Sequence, residues 1–191
     1  MSGIPGTGKT SIVRNVLSYA LEKYQVDAYT IFTTDVIEAD LGKTVSNFKD
    51  QIDEFREKEQ GILFIDEIDK FCVNRNNSDE VSEMKRLLIE MMSYIDAISI
   101  SSSKMILGCT NVVNQLDDAL IRRFSICEQI DLPSDDEKEE YAELCLRKLG
   151  EASAKQMFDR SLISKWQTFD DVKKYFRAKI LIGLDTFAEE E

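Results

Sequence analysis

Gly3-Ile4-Pro5-Gly6-Thr7-Gly8-Lys9-Thr10 places three glycines and a lysine at the spacing that polyanion chemistry requires. Several backbone N–H groups must converge on one anion, and residues lacking a Cβ permit that approach. Lys9 brings a point charge suited to β and γ phosphates, and Thr10 a hydroxyl suited to Mg²⁺. The helix expected to follow aims its positive end at the same anion. Pro5, Gly6, Thr7, Gly8 and Ser11 lie within or beside the loop and share the binding assignment with it. The motif predicts binding of a nucleoside triphosphate; a glycine turn before an ordinary helix is the alternative.

A second group of chemically capable residues closes an apolar run, Ile62-Leu63-Phe64-Ile65-Asp66-Glu67. Paired carboxylates at the tip of a buried strand can divide the work of phosphoryl transfer. Asp66 would stand by the metal, and Glu67 would orient or polarise the water that attacks the γ phosphate. Two acids could also cap the helix that follows.

The elements that must hold these groups read as alternating strands and helices. Ile12, Val13, Val16, Leu17 and Leu21 mark the packing side of a helix over 11–22. Val26 to Phe32 reads as a strand, and Val45, Phe48, Ile52 and Phe55 place a helix over 44–60. Gly61 to Ile65 reads as a strand buried on both faces, 74–78 as a loop, and Val81, Met84, Leu88, Met91 and Ile95 as a long amphipathic helix. Strands are expected at Met105 to Cys109 and Ser125 to Leu132. Such alternation predicts a parallel sheet flanked by helices, a P-loop α/β core over 1–133. From Pro133 the pattern turns helical, with capping boxes at Ser134/Glu137 and Thr168/Asp171, predicting a small all-helical lid over 134–191. A phosphate loop normally leaves the end of a buried strand, yet only Met1 and Ser2 precede this one. Either an internal methionine of a longer protein stands first here, or the sheet lacks its central strand.

Composition narrows the function classes. A chain of 191 residues, 43% hydrophobic, can bury a core, and its formal net charge of −12 argues against a broad grip on nucleic acid. Cys72, Cys109, Cys127 and Cys145 form no Cys-x-x-Cys pair, and histidine is absent, which argues against zinc. Cys109 and Cys127 fall in apolar runs and are expected to be buried reduced thiols of a cytoplasmic protein. No signal peptide and no run of membrane-spanning length is seen.

Four motifs in order give the chain a resemblance, over nearly its whole length, to the AAA branch of the AAA+ ATPases. Gly3 to Thr10 resembles Walker A, Ile62 to Glu67 resembles Walker B, and Leu107-Gly108-Cys109-Thr110-Asn111 resembles the strand ending in sensor 1, which carries that role onto Asn111. A simple turn is the other reading of Thr110-Asn111. Leu116 to Phe124 is similar to the helix that delivers arginine fingers to a neighbouring subunit, making Arg122 and Arg123 the candidates. The alternative is that the pair only complements a helix C-terminus. The resemblance implies Mg²⁺-dependent ATP hydrolysis in a homo-hexamer that remodels a protein partner. An ATP-dependent switch or scaffold with little turnover, or a DNA-associated clamp-loader or initiator ATPase, are the rivals.

The chain also departs from that family. Asp40-Leu41-Gly42 has an acid where threading members carry an aromatic; either Leu41 or Lys43 engages a substrate instead, or the partner is not threaded at all. Phe169 and Asp170 replace a small pair at the start of a nucleotide-facing helix; that no sensor 2 arginine is evident is, by contrast, usual in this branch. Asp69 stands where the family often has an acid at the subunit boundary, though an acid starting a helix reads the same way.

Overall fold

The computed structural model describes residues 1–36, 43–72, 78–99, 103–149 and 158–188. The chain divides into two compact units, one of Met1–Gly3 with Lys9–Gln129 and one of Ile4–Gly8 with Ile130–Glu191. The first holds strands β2 (Ala28–Phe32), β3 (Gly61–Asp66) and β4 (Lys104–Gly108), paired in parallel in the order β2-β3-β4. Their registers run Ala28↔Ile62 to Phe32↔Asp66 and Gly61↔Lys104 to Ile65↔Gly108, so β2 and β3 end together.

Strand β3 is apolar as far as Ile65, and each face fills a different cluster. Leu63 and Ile65 pack with Phe48, Ile52, Phe55, Leu87 and Met91, from helices α3 (Lys43–Arg56) and α4 (Ser78–Ser99). Ile62 and Phe64 pack with Val13, Leu17 and Ala20 of α1 (Lys9–Tyr24) and with Cys109. This is the expected doubly covered parallel sheet. Helix α3 stops at Arg56, short of the expected Gln60, as Lys58 N–H turns back to the Phe55 carbonyl at 3.2 Å.

The start of the chain supplies a strand that sequence reading left open. Ser2–Gly3 forms β1 and pairs with β5 (Gln129–Ile130), while Ser2 also bridges Thr110 in parallel. Ser2 N–H donates to the Glu128 carbonyl at 2.8 Å, and Thr110 N–H donates to that of Met1 at 3.0 Å. These bonds place β1 between the end of β4 and β5.

Three expectations are corrected. Ile12, Val16 and Leu21 are exposed, because the helix turns Val13, Leu17 and Ala20 onto the sheet, and one stripe of a helix is all that a flat sheet covers. The strand expected over 125–132 shrinks to Gln129–Ile130, since its partner β1 has two residues and a ladder runs no further than its partner. Cys127 is consequently exposed, whereas Cys109 is buried as expected. Asp40, Leu41, Gly42 and the loop over 74–77 lie outside the described residues.

In the second unit, α6 (Asp135–Leu149) and α7 (Phe169–Ala188) enclose Ala142, Val172 and Phe176. Both capping boxes form. Glu137 accepts from Ser134 N–H at 2.8 Å and Asp171 from Thr168 N–H at 2.9 Å, which holds each carboxyl below its usual pKa. Among the described residues no helix is long and apolar enough to cross a membrane.

Phe48 is fully buried, edge-on to Phe71 and Tyr94. Truncation there leaves a cavity that a rigid sheet cannot collapse. Phe48→Ala is expected to cost about 3–5 kcal/mol of stability, read as a lower urea midpoint with an unchanged slope.

Candidate active site

The glycine loop takes a backbone that side chains resist. Gly6 and Gly8 have φ of +85° and +95°, in the left-handed region. A Cβ on Gly6 would lie 2.8 Å from Thr168 Oγ1 and 2.9 Å from Asp170 Cβ, so no side chain fits without displacing the start of α7. Gly8 lies against the Phe169 ring, where an added Cβ would come within 3.6 Å. Phe169 and Asp170, the two departures noted in sequence, are thus the residues that back the loop. Thr7 is buried and closes the turn, its hydroxyl donating to the Ile4 carbonyl at 2.9 Å, while Pro5 is exposed.

Lys9 opens α1 and is 6% exposed. Its Nζ donates to the Gly3 carbonyl at 2.7 Å. Burial lowers its pKa, and the charges of Asp66 and Asp69 partly restore it. An arriving anion would act in that restoring direction. Thr10 Oγ1 donates to Asp66 Oδ2 at 3.2 Å, joining the first turn of α1 to the tip of β3. Ser11 is exposed on the same turn. The structure therefore gathers Lys9, Thr10 and Asp66, which stand 56 residues apart in sequence at the Thr10–Asp66 contact.

Glu67 leaves the strand with φ +52°, uncommon for a residue with a side chain. Asp66 Oδ1 accepts the Glu67 N–H at 3.0 Å, and the Glu67 carboxylate is ion-paired with Lys70. Asn111 lies just past β4, its backbone N–H donating to Asp69 Oδ1 at 3.1 Å. Lys70 and the inward turn of Asp69 escaped the sequence reading. The i, i+3 spacing of Glu67 and Lys70 was the available signal for the first.

The two arginines differ. Helix α5 (Asp118–Ile121) is capped by the Asp117 carboxylate, which accepts from Ala119 N–H at 2.7 Å. Arg123 Nη1 donates to the Ala119 carbonyl at 2.7 Å and its Nε meets Asp96 at 3.0 Å, so this guanidinium serves the helix C-terminus. Arg122 is exposed.

Residues 1–132 match the family model for the ATPase family associated with various cellular activities. The chain belongs to the AAA family. It is 30% identical over 138 residues to the ATPase family gene 2 protein of Saccharomyces cerevisiae, covering 71% of this chain and 17% of that protein. It is 33% identical over 152 residues to the ATP-dependent zinc metalloprotease FtsH of Karelsulcia muelleri, covering 77% and 24%. With vacuolar protein sorting-associated protein 4B of Mus musculus it shares 31% over 132 residues, covering 69% and 29%. The AAA chain thus spans less than a third of the length of each of these relatives. In fold it is similar to the crystal structure of the FIGL-1 AAA domain in complex with ADP, with a TM-score of 0.66 at 22% identity, over 90% of this chain and 56% of that one.

Cys109 is buried in the cluster between α1 and the sheet, near Lys9. Burial pushes its thiol up to about 11, so at pH 8 only about one part in a thousand is thiolate. Iodoacetamide at pH 8 is expected to label exposed Cys127 in the native AAA protein and to reach Cys109 only after unfolding, as read by peptide mass spectrometry.

Proposed function

We propose that this chain binds Mg·ATP and hydrolyses it within an oligomeric ring of identical subunits, six by family resemblance, using the cycle to remodel a protein partner in the cytoplasm. The observation carrying the reading is the Thr10–Asp66 hydrogen bond beside buried Lys9. A hydroxyl and a carboxylate are hard oxygen donors, as Mg²⁺ prefers, and Mg²⁺ needs only one or two of them when phosphates supply the rest. When bound, Mg²⁺ would neutralise charge on the phosphate oxygens. Lys9 would hold the β and γ phosphates, the loop residues Pro5 to Ser11 would cradle them, and Thr10 with Asp66 would hold the metal. Glu67 and Asn111 would orient the attacking water.

Arg122 is the better candidate to act on a neighbouring subunit's nucleotide, because it is exposed and Arg123 is engaged within its own chain. A guanidinium so placed would stabilise charge developing on the γ phosphate. The rival reading, an ATP-dependent switch with slow turnover, draws support from one observation: the Glu67 carboxylate is tied to Lys70.

Two measurements separate these readings. Glu67→Gln is expected to keep Mg·ATP affinity within about threefold and to lose about 10²–10⁴ in turnover, the span typical of a general base. Wild-type turnover by that variant would remove Glu67 from the mechanism. Specific activity is also expected to rise with protein concentration, and Arg122→Ala to lower it by about 10³ or more. Activity independent of concentration would favour the switch.

A further inference from the structure

The 3-10 turn Ile68–Cys72, which follows β3, is bonded to the end of β4 at two points. Ile68 N–H donates to the Cys109 carbonyl at 2.9 Å, and two residues on, Asn111 N–H donates to Asp69 Oδ1 at 3.1 Å. The first bond continues the ladder in which Cys109 N–H reaches the Ile65 carbonyl at 3.0 Å. The second does not continue it: a side chain stands in for the strand partner that Asn111 lacks at this point. Asp69 is 8% exposed, and a carboxylate so placed needs donors to replace lost water.

We infer that Asp69 is a positioning residue for the hydrolysis proposed above, on which this inference rests. By fixing the Asn111 N–H, it sets the backbone from which the Asn111 side chain projects, and so where Asn111 can meet a water. The Glu67 carbonyl accepts the Lys70 N–H at 2.9 Å, so the turn that carries Asp69 starts from Glu67, whose backbone leaves β3 in the left-handed region. One short turn therefore orients both groups assigned to that water, Glu67 through its backbone and Asn111 through Asp69. An ordinary buried acid would contribute to folding alone. A positioning acid must act through Asn111, and its hydrogen bond, more than its charge, must matter.

The test uses the full chain and steady-state ATP hydrolysis, with Asp69→Ala, Asp69→Asn, Asn111→Ala and the Asp69→Ala/Asn111→Ala double variant. Asp69→Ala is expected to lower kcat about ten- to a hundredfold, the order reached by small misplacements, with KM within about threefold. Asp69→Asn, which keeps an oxygen acceptor, is expected to recover to within about threefold of wild type. The double variant is expected to be no slower than Asn111→Ala, since a residue acting through another is silent once that side chain is gone. Wild-type kcat in Asp69→Ala, losses that multiply in the double variant, or an Asp69→Asn as slow as Asp69→Ala would each overturn the inference. So would an Asp69→Ala that no longer melts cooperatively beside a fully active Asp69→Asn. Absence of turnover in the wild-type protein would instead remove the ATPase reading itself.

Discussion

Strand β3 carries no polar side chain before Asp66, and both of its faces are filled, by Leu63 and Ile65 on one side and Ile62 and Phe64 on the other. Two aliphatic or aromatic layers around one strand leave it no freedom to slide, because a shift of one residue would exchange its two faces. The first groups able to meet water are therefore Asp66 and Glu67. The parallel register ends β2 level with Asp66, and α1 packs against the Ile62/Phe64 face, so its first turn brings Thr10 to the Asp66 carboxylate. The chemistry assigned to this site depends on that burial.

Electrostatics around the tip of β3 is balanced more closely than a net charge of −12 implies. Lys9 is buried, a condition that disfavours its charge, and Asp66 and Asp69 offset part of that cost. Asp66 is held in turn by Thr10 Oγ1 and the Glu67 N–H, while Asp69 is occupied by the Asn111 N–H. Each acid near Lys9 thus has a donor of its own, consistent with the rule that buried charge survives only when bonded. Glu67 is different: it is partly exposed and drawn to Lys70, which leaves it a group that can be reoriented.

The elements were largely legible because hydrophobic periodicity reflects burial directly. The unbroken apolar run of Ile62, Leu63, Phe64 and Ile65 announced a doubly covered strand, and Ser134/Glu137 and Thr168/Asp171 announced helix starts through bonds local in sequence. Where packing had to choose between two apolar stripes, sequence was silent. Ile12, Val16 and Leu21 resemble core residues as well as Val13, Leu17 and Ala20 do, yet the second set meets the sheet. Ser125 to Leu132 has the composition of a strand, but only Gln129–Ile130 pairs, with β1, and composition does not show where a backbone partner lies.

By itself, the sequence determined the chemistry on offer: a loop in which only glycine can take the left-handed turns, an apolar strand ending in two acids, and two adjacent arginines. Those are properties of residue type and local spacing, which near neighbours in the chain suffice to express. Tertiary structure decided which groups meet, because contacts across tens of residues depend on register and on which helical face is covered. It joined Thr10 to Asp66, turned Asp69 inward onto Asn111, tied Arg123 to Ala119 and Asp96, and left Arg122 exposed.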